Sequence, residues 1–114
     1  MEKLKFTCDC LNYGGTGISG TLIVTDDTVT FQVSKLMKIL YFWIKLENFT
    51  INIRDIKGCE DKALWYLDVI TEDQIYHLNT FQKHDIISTL KSKHQAIFSS
   101  EGKEAPTFIE IQSI

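Results

Sequence analysis

No apolar run in this sequence reaches the roughly 18 residues that cross a bilayer. Its opening ten residues, MEKLKFTCDC, lack the apolar stretch of a secretory leader. The chain is therefore expected to work in the cytoplasm. An excess of positive charge is also missing: 12 Lys and Arg stand against 15 Asp and Glu, for a net charge of -3. That balance excludes the basic footprint of a nucleic-acid binder and any overall attraction to anionic lipid. Cysteine is scarce and odd in number, with Cys8, Cys10 and Cys59, which argues against a disulfide framework. Proline occurs once, at Pro106.

What is present is enough for one globular domain. Hydrophobic residues make up 44% of 114 residues and aromatics 11%, too apolar for disorder and sufficient for a core. Residues 15–20 read GTGISG, a formal match to the dinucleotide fingerprint. That fingerprint needs a helix after the glycines and an acidic residue about 20 positions on. Here the β-branched Thr21, Ile23, Val24 and Thr25 follow, and no Asp or Glu lies between Asp27 and Glu47. The glycines read as a turn between strands, and no dinucleotide is expected.

Period-two alternation runs through most of the chain. Leu4, Phe6, Cys8 and Cys10 alternate with polar residues, which puts both thiols on a buried strand face. Their spacing suits no standard zinc module, so no metal is expected. Residues 20–33 form a hairpin around Asp26-Asp27. Phe49, Ile51 and Ile53 mark a further strand, with Gly58 as a bend or bulge near its end. Residues 63–71 predict another, with Trp65, Leu67 and Val69 on one face, and residues 74–81 its return. The period then lengthens. Ile86, Ile87, Leu90, His94, Ile97 and Phe98 make the apolar stripe of a helix over residues 83–98. A polar linker ends at Pro106, and TFIEIQSI suits one more strand. Strands followed by one helix predict an α+β, mainly β fold of antiparallel strands.

Gly20 to Thr25 with Phe31, the segment from Phe49 to Lys57, the hairpin from Leu67 to Leu78 and the helix start from Asp85 to Leu90 together resemble GRAM and bacterial pleckstrin-homology-like domains. The resemblance covers residues 18–98 and rests on core-patterning residues. It implies a bent antiparallel barrel or sandwich capped by the C-terminal helix. On this reading residues 1–98 form the domain, and residues 99–114 a linker and an additional strand. The resemblance also marks a departure: relatives carry an Asn and a basic residue in the first hairpin turn, where this chain has Asp26-Asp27. Two carboxylates there would repel a phosphorylated headgroup.

Candidate chemistry is thin. His77, His84 and His94 have no motif partner for a nucleophile, and Glu47, Asp55, Glu60 and Asp61 are scattered. Catalytic residues and cofactors are not expected. The segment that stands out is LMKILYFWIKL, residues 36–46, with nine apolar residues and two lysines. It is expected to be a strand or short irregular segment with apolar surface left over, though a strand buried on both faces fits the same pattern. As a helix it would gather Lys38, Tyr41, Phe42 and Lys45 on one face, suited to an anionic membrane. The candidate interaction surface is Lys38, Tyr41, Phe42, Trp43 and Lys45. The expected role is a non-enzymatic module that binds a protein partner or self-associates, with peripheral membrane contact as the alternative.

Overall fold

The computed structural model describes residues 3–112. Alternation sets its first three strands, β1 (Leu4–Tyr13), β2 (Thr16–Val24) and β3 (Thr28–Val33). Phe6, Cys8 and Cys10 of β1, Leu22 and Val24 of β2, and Phe31 of β3 face inward and are buried; their neighbours along each strand point outward. β1 and β2 meet at Gly14 and Gly15, both with positive φ (71° and 85°), where a side chain would be strained. The glycine motif therefore straddles the end of this turn and the start of β2. A strand follows it, so no helix N-terminus is available to hold a pyrophosphate there.

The remaining order is α1 (Lys35–Leu40), β4 (Phe49–Asn52), one 3-10 turn (Ile53–Asp55), β5 (Ile56–Asp61), β6 (Tyr66–Thr71), β7 (Ile75–Asn79), α2 (Lys83–Ser100) and β8 (Ile109–Gln112). Three expectations change. Residues 36–46 are not a strand: they begin as a helix. The stretch from Phe49 onward is two strands, because the 3-10 turn breaks the alternation and drives Ile53 into the core beneath α2. β6 starts at Tyr66, so Trp65 does not join Leu67 and Val69 inside. It lies in the preceding loop, half-exposed, with its ring 4.8 Å from that of Phe81.

The eight strands form one sheet in the order β4-β3-β2-β1-β7-β6-β5-β8. All neighbours are antiparallel except β5 and β8, which run parallel. The sheet bends back on itself. Phe49 of β4 stacks on Tyr76 of β7 with ring centroids 4.8 Å apart, although three strands separate β4 from β7 in the sheet order. Gly58 marks the bend foreseen in β5: the pairing with β6 shifts register between Ile56 and Gly58, as at a bulge.

α2 packs over the 3-10 turn and β5, with Ile86, Leu90 and His94 buried. Lys83, on the polar face by periodicity, is buried as well. Its ammonium donates to the Lys62 and Leu64 carbonyls at 2.6 and 2.7 Å and pairs with Asp61 at 2.7 Å. A buried lysine is tolerable only when so fully partnered. It ties the start of α2 to the β5–β6 loop, where Leu64 takes a positive φ of 60°. α2 continues to Ser100, two residues past the boundary expected from its apolar stripe.

Candidate interaction surface

Ser34 ends β3 and begins the surface. Its N–H donates to the Ser19 carbonyl at 3.0 Å, and its hydroxyl accepts from the Met37 N–H at 3.2 Å. That is the N-cap a serine supplies. α1 then runs for six residues, none of them buried. Such a helix is too short to hold itself. It is held by contacts on one side: Met37 and Tyr41, four residues apart, pack partly buried against the core.

After the Tyr41 C-cap the chain turns, with the Ile44 N–H donating to the Tyr41 carbonyl at 2.9 Å. Leu46 then plunges back and is buried. The Val33 N–H donates to Asn48 Oδ1 at 2.9 Å, and the Tyr13 hydroxyl donates to the Glu47 carbonyl. Burial, with the nearby Cys10 and Glu47 charges, pushes the Tyr13 phenol up to about 12, so it stays a donor. The return of the loop is thus anchored on both sides.

Between these anchors the apolar side chains face water. Phe42 is 81% exposed, Ile39 69% and Trp43 67%, and Leu36, Leu40 and Ile44 are exposed too. The Phe42 and Trp43 rings meet edge to face at 5.2 Å. Contiguous exposure of this kind usually marks a contact. Of the five candidate residues, Lys38, Phe42, Trp43 and Lys45 are exposed, while Tyr41 is half-buried and serves as an anchor. Leu36, Ile39 and Leu40 complete the surface. These three were not among the candidates named from the sequence.

The charges around this knuckle are mixed. Lys35, Lys38 and Lys45 come from the segment itself. Lys45 pairs with Glu47 at 3.1 Å, both well exposed, a contact worth little. Asn12 of β1 bonds to the Ile75 carbonyl and the His77 N–H, which places the β6–β7 turn, with Glu72 and Asp73, at the same end of the sheet as Gly14-Gly15.

Elsewhere the polar groups pair with one another. A groove of about 820 Å³ lies between the β2–β3 turn and the C-terminal half of α2. There Lys93 reaches Asp26 at 2.8 Å and Arg54 reaches Glu101 at 2.8 Å. The Lys93 hydrogen bond and charge hold the Asp26 carboxyl below its ordinary range. The acidic turn is therefore docked on α2 rather than presented as a free loop. On the outer face His77 Nδ1 lies 2.8 Å from Asp68, which also meets Lys62 at 2.9 Å. No serine or cysteine joins that pair in a hydrogen bond among the described residues. Burial pushes the Cys8 and Cys59 thiols up to about 12 and raises Cys10, so none is a ready thiolate. Among the described residues no group of three potential metal ligands converges, and no helix is long and apolar enough to cross a membrane.

No protein-family model matches the chain, and no curated protein matches it in sequence. Solved structures do match in fold. The N-terminal PH domain of human ARAP2 superposes with a TM-score of 0.66 at 12% identity, covering 92% of this chain and 88% of that one. The C-terminal domain of an unknown protein from Leishmania infantum gives 0.63 at 20% identity, covering 79% and 80%. A structure of the Spt16D Pob3N heterodimer gives 0.59 at 9% identity, covering all of this chain and 56% of that one. At such identities the likeness is one of fold, and the fold is pleckstrin-homology-like.

Proposed function

We propose that the chain is a non-enzymatic interaction module that seats a protein surface, a partner's or a second copy's, on the knuckle formed by α1 and the turn after it. One observation carries this: six large apolar side chains between Leu36 and Ile44 are exposed on a segment whose cap and anchors are otherwise complete. Nothing about the fold requires those six to be apolar, since the core beneath is closed by Met37, Tyr41 and Leu46. A protein partner suits a segment whose exposed Lys45 already pairs with Glu47, because mixed charge favours a complementary protein over a uniformly anionic sheet of lipid. Within the PH-like fold we place the chain near GRAM and bacterial PH-like domains, on the core-patterning residues from Phe49 to Lys57. We take the module to run through α2, with the residues after it as an appended tail, and to act in the cytoplasm, where three free buried thiols stay reduced.

A second reading has its own support. No acidic residue lies between Asp27 and Glu47, so the knuckle itself is basic and aromatic, the composition of a segment resting at a membrane surface. The test uses wild type, Phe42→Ser and Trp43→Ser. Expected is a bound protein, recovered from the native host or seen as self-association in sedimentation, that is lost from both folded variants. Co-sedimentation of wild type with anionic vesicles, lost in both variants and unaccompanied by any protein contact, would hand the surface to lipid.

A further inference from the structure

β8 is the anomaly of the sheet. It makes the one parallel pairing among the described residues, it lies at the sheet's end, and none of its four residues is buried. A strand integral to a half-buried sheet normally hides one face. What anchors the tail lies before the strand: Arg54 holds Glu101 at 2.8 Å, and Phe108, half-buried, sets its ring 5.4 Å from that of His94. Past Phe108, the strand pairs by its main chain with β5, and Glu110 forms an exposed ion pair with Lys91 of α2 at 3.1 Å.

The receiving edge is specific where the strand is not. Gly58 pairs with Ile109, and a Cβ at Gly58 would collide with the Ile109 carbonyl. The β5 edge thus lacks a side chain at the point where an incoming backbone comes closest. Beside it, Ile87, Ser88, Lys91 and Gln95 of α2 line a groove of about 590 Å³ that Glu110 borders from the strand side. Alternation directs Glu110 toward Lys91 and leaves Ile109 and Ile111 half-exposed on the opposite face.

We propose that the β5 edge beside α2 is a strand-accepting site for an extended segment of a partner protein, and that β8 occupies it in cis and guards it. The chemistry of β8 describes the partner segment: an acidic residue that meets Lys91, flanked by β-branched residues that favour the extended backbone. Main-chain bonds to β5 supply affinity, and the acidic side chain sets register. Tethered through residues 101–108, the tail competes at high effective concentration, so the site opens only to a partner that outbids it or to a change that frees the tail. This surface is distinct from the knuckle, and its failure would leave the knuckle reading untouched.

The test keeps the full chain. Ile109→Pro with Ile111→Pro removes strand donors from the tail and leaves the β5 edge intact; circular dichroism and thermal unfolding check its fold. A labelled synthetic peptide with the sequence of residues 107–114 is titrated into this variant and into wild type. Expected is saturable micromolar binding to the variant and binding about ten-fold or more weaker to wild type. A peptide carrying Glu110→Lys should lose about three- to five-fold, and Lys91→Glu in the protein should restore it. If the proline pair unfolds, the single Ile111→Pro chain carries the same titration. A folded variant that ignores the peptide overturns the proposal, as does equal binding by wild type. Loss of fold in both variants makes β8 a structural strand and overturns it too. Wild-type dimers formed by exchange of tails would make a second copy the occupant and reject the partner segment.

Discussion

At the residue scale, two glycines and one histidine show what can and cannot be read from a sequence. Gly20 and Gly58 look alike on paper, each a glycine inside a segment that reads as strand. Gly20 sits inside β2 because a Cβ there would collide with the Gln32 carbonyl and lie 2.6 Å from the Phe31 ring. That is a packing demand from β3, and no local pattern reveals it. Gly58 was legible as a bend, but the reason it must be glycine lies about fifty residues away in β8. His94 fell on the apolar stripe and is indeed buried. Burial foremost, and the Lys57 charge after it, lower its pKa from the ordinary 6.5. The unfolded chain, titrating near 6.5, therefore takes up a proton that the folded chain refuses. Stability is full above that value and falls as pH drops through it toward the lower folded pKa. The urea midpoint should be lower at about pH 5.5 than at about pH 7.5, and His94→Phe should flatten the difference. Asp26 and Glu101, held below their ordinary ranges by Lys93 and Arg54 respectively, lose their contributions only in more acid solution. An unchanged slope in His94→Phe would assign the effect elsewhere.

At the element scale, legibility followed the clarity of the period. β1, β2 and β3 alternate cleanly, and α2 changes period cleanly, so all four were readable. Residues 36–46 were not. Nine apolar residues satisfy a period of two and of 3.6 equally, and the deciding signal was the cap: Ser34 immediately before Lys35 closes the first turn of a helix. Trp65 was misplaced because it continues the alternation of Leu67 and Val69, whereas Lys83 draws the Lys62 and Leu64 carbonyls onto its ammonium and so holds the preceding loop out of the strand. α2 offers the sharpest check on an element. Leu90 is fully buried in the cluster with Ile86, so Leu90→Ala should cost about 2–5 kcal/mol by denaturant unfolding. A midpoint within error of wild type would mean that α2 does not seal the sheet as its contacts with β5 and the 3-10 turn require.

At the scale of the whole molecule, the residues that hold the PH-like fold together and the exposed apolar residues of the knuckle fall in different places. The core is closed by inward faces of the sheet, by Ile53 and by α2. Phe42 and Trp43 touch each other, and Trp43 also meets Tyr41 at 5.8 Å, yet neither ring belongs to the buried cluster. Local patterning could reveal the apolar excess of the knuckle but not its exposure, because exposure depends on whether any other part of the chain returns to cover it. Here the sheet closes through Phe49 and Tyr76 instead, and the knuckle is left outside that closure. The energetic consequence is measurable. Phe42→Ser and Trp43→Ser should each shift unfolding free energy by no more than about 0.5 kcal/mol, the range of surface substitutions. The double variant should lose no more than about 1 kcal/mol, the sum of the two, because either single change already removes the ring–ring contact. Urea denaturation of the three variants beside Leu90→Ala makes the comparison in one experiment. A double variant as damaged as Leu90→Ala would show that the rings support the fold, and the knuckle would then no longer be surface held in reserve for a partner.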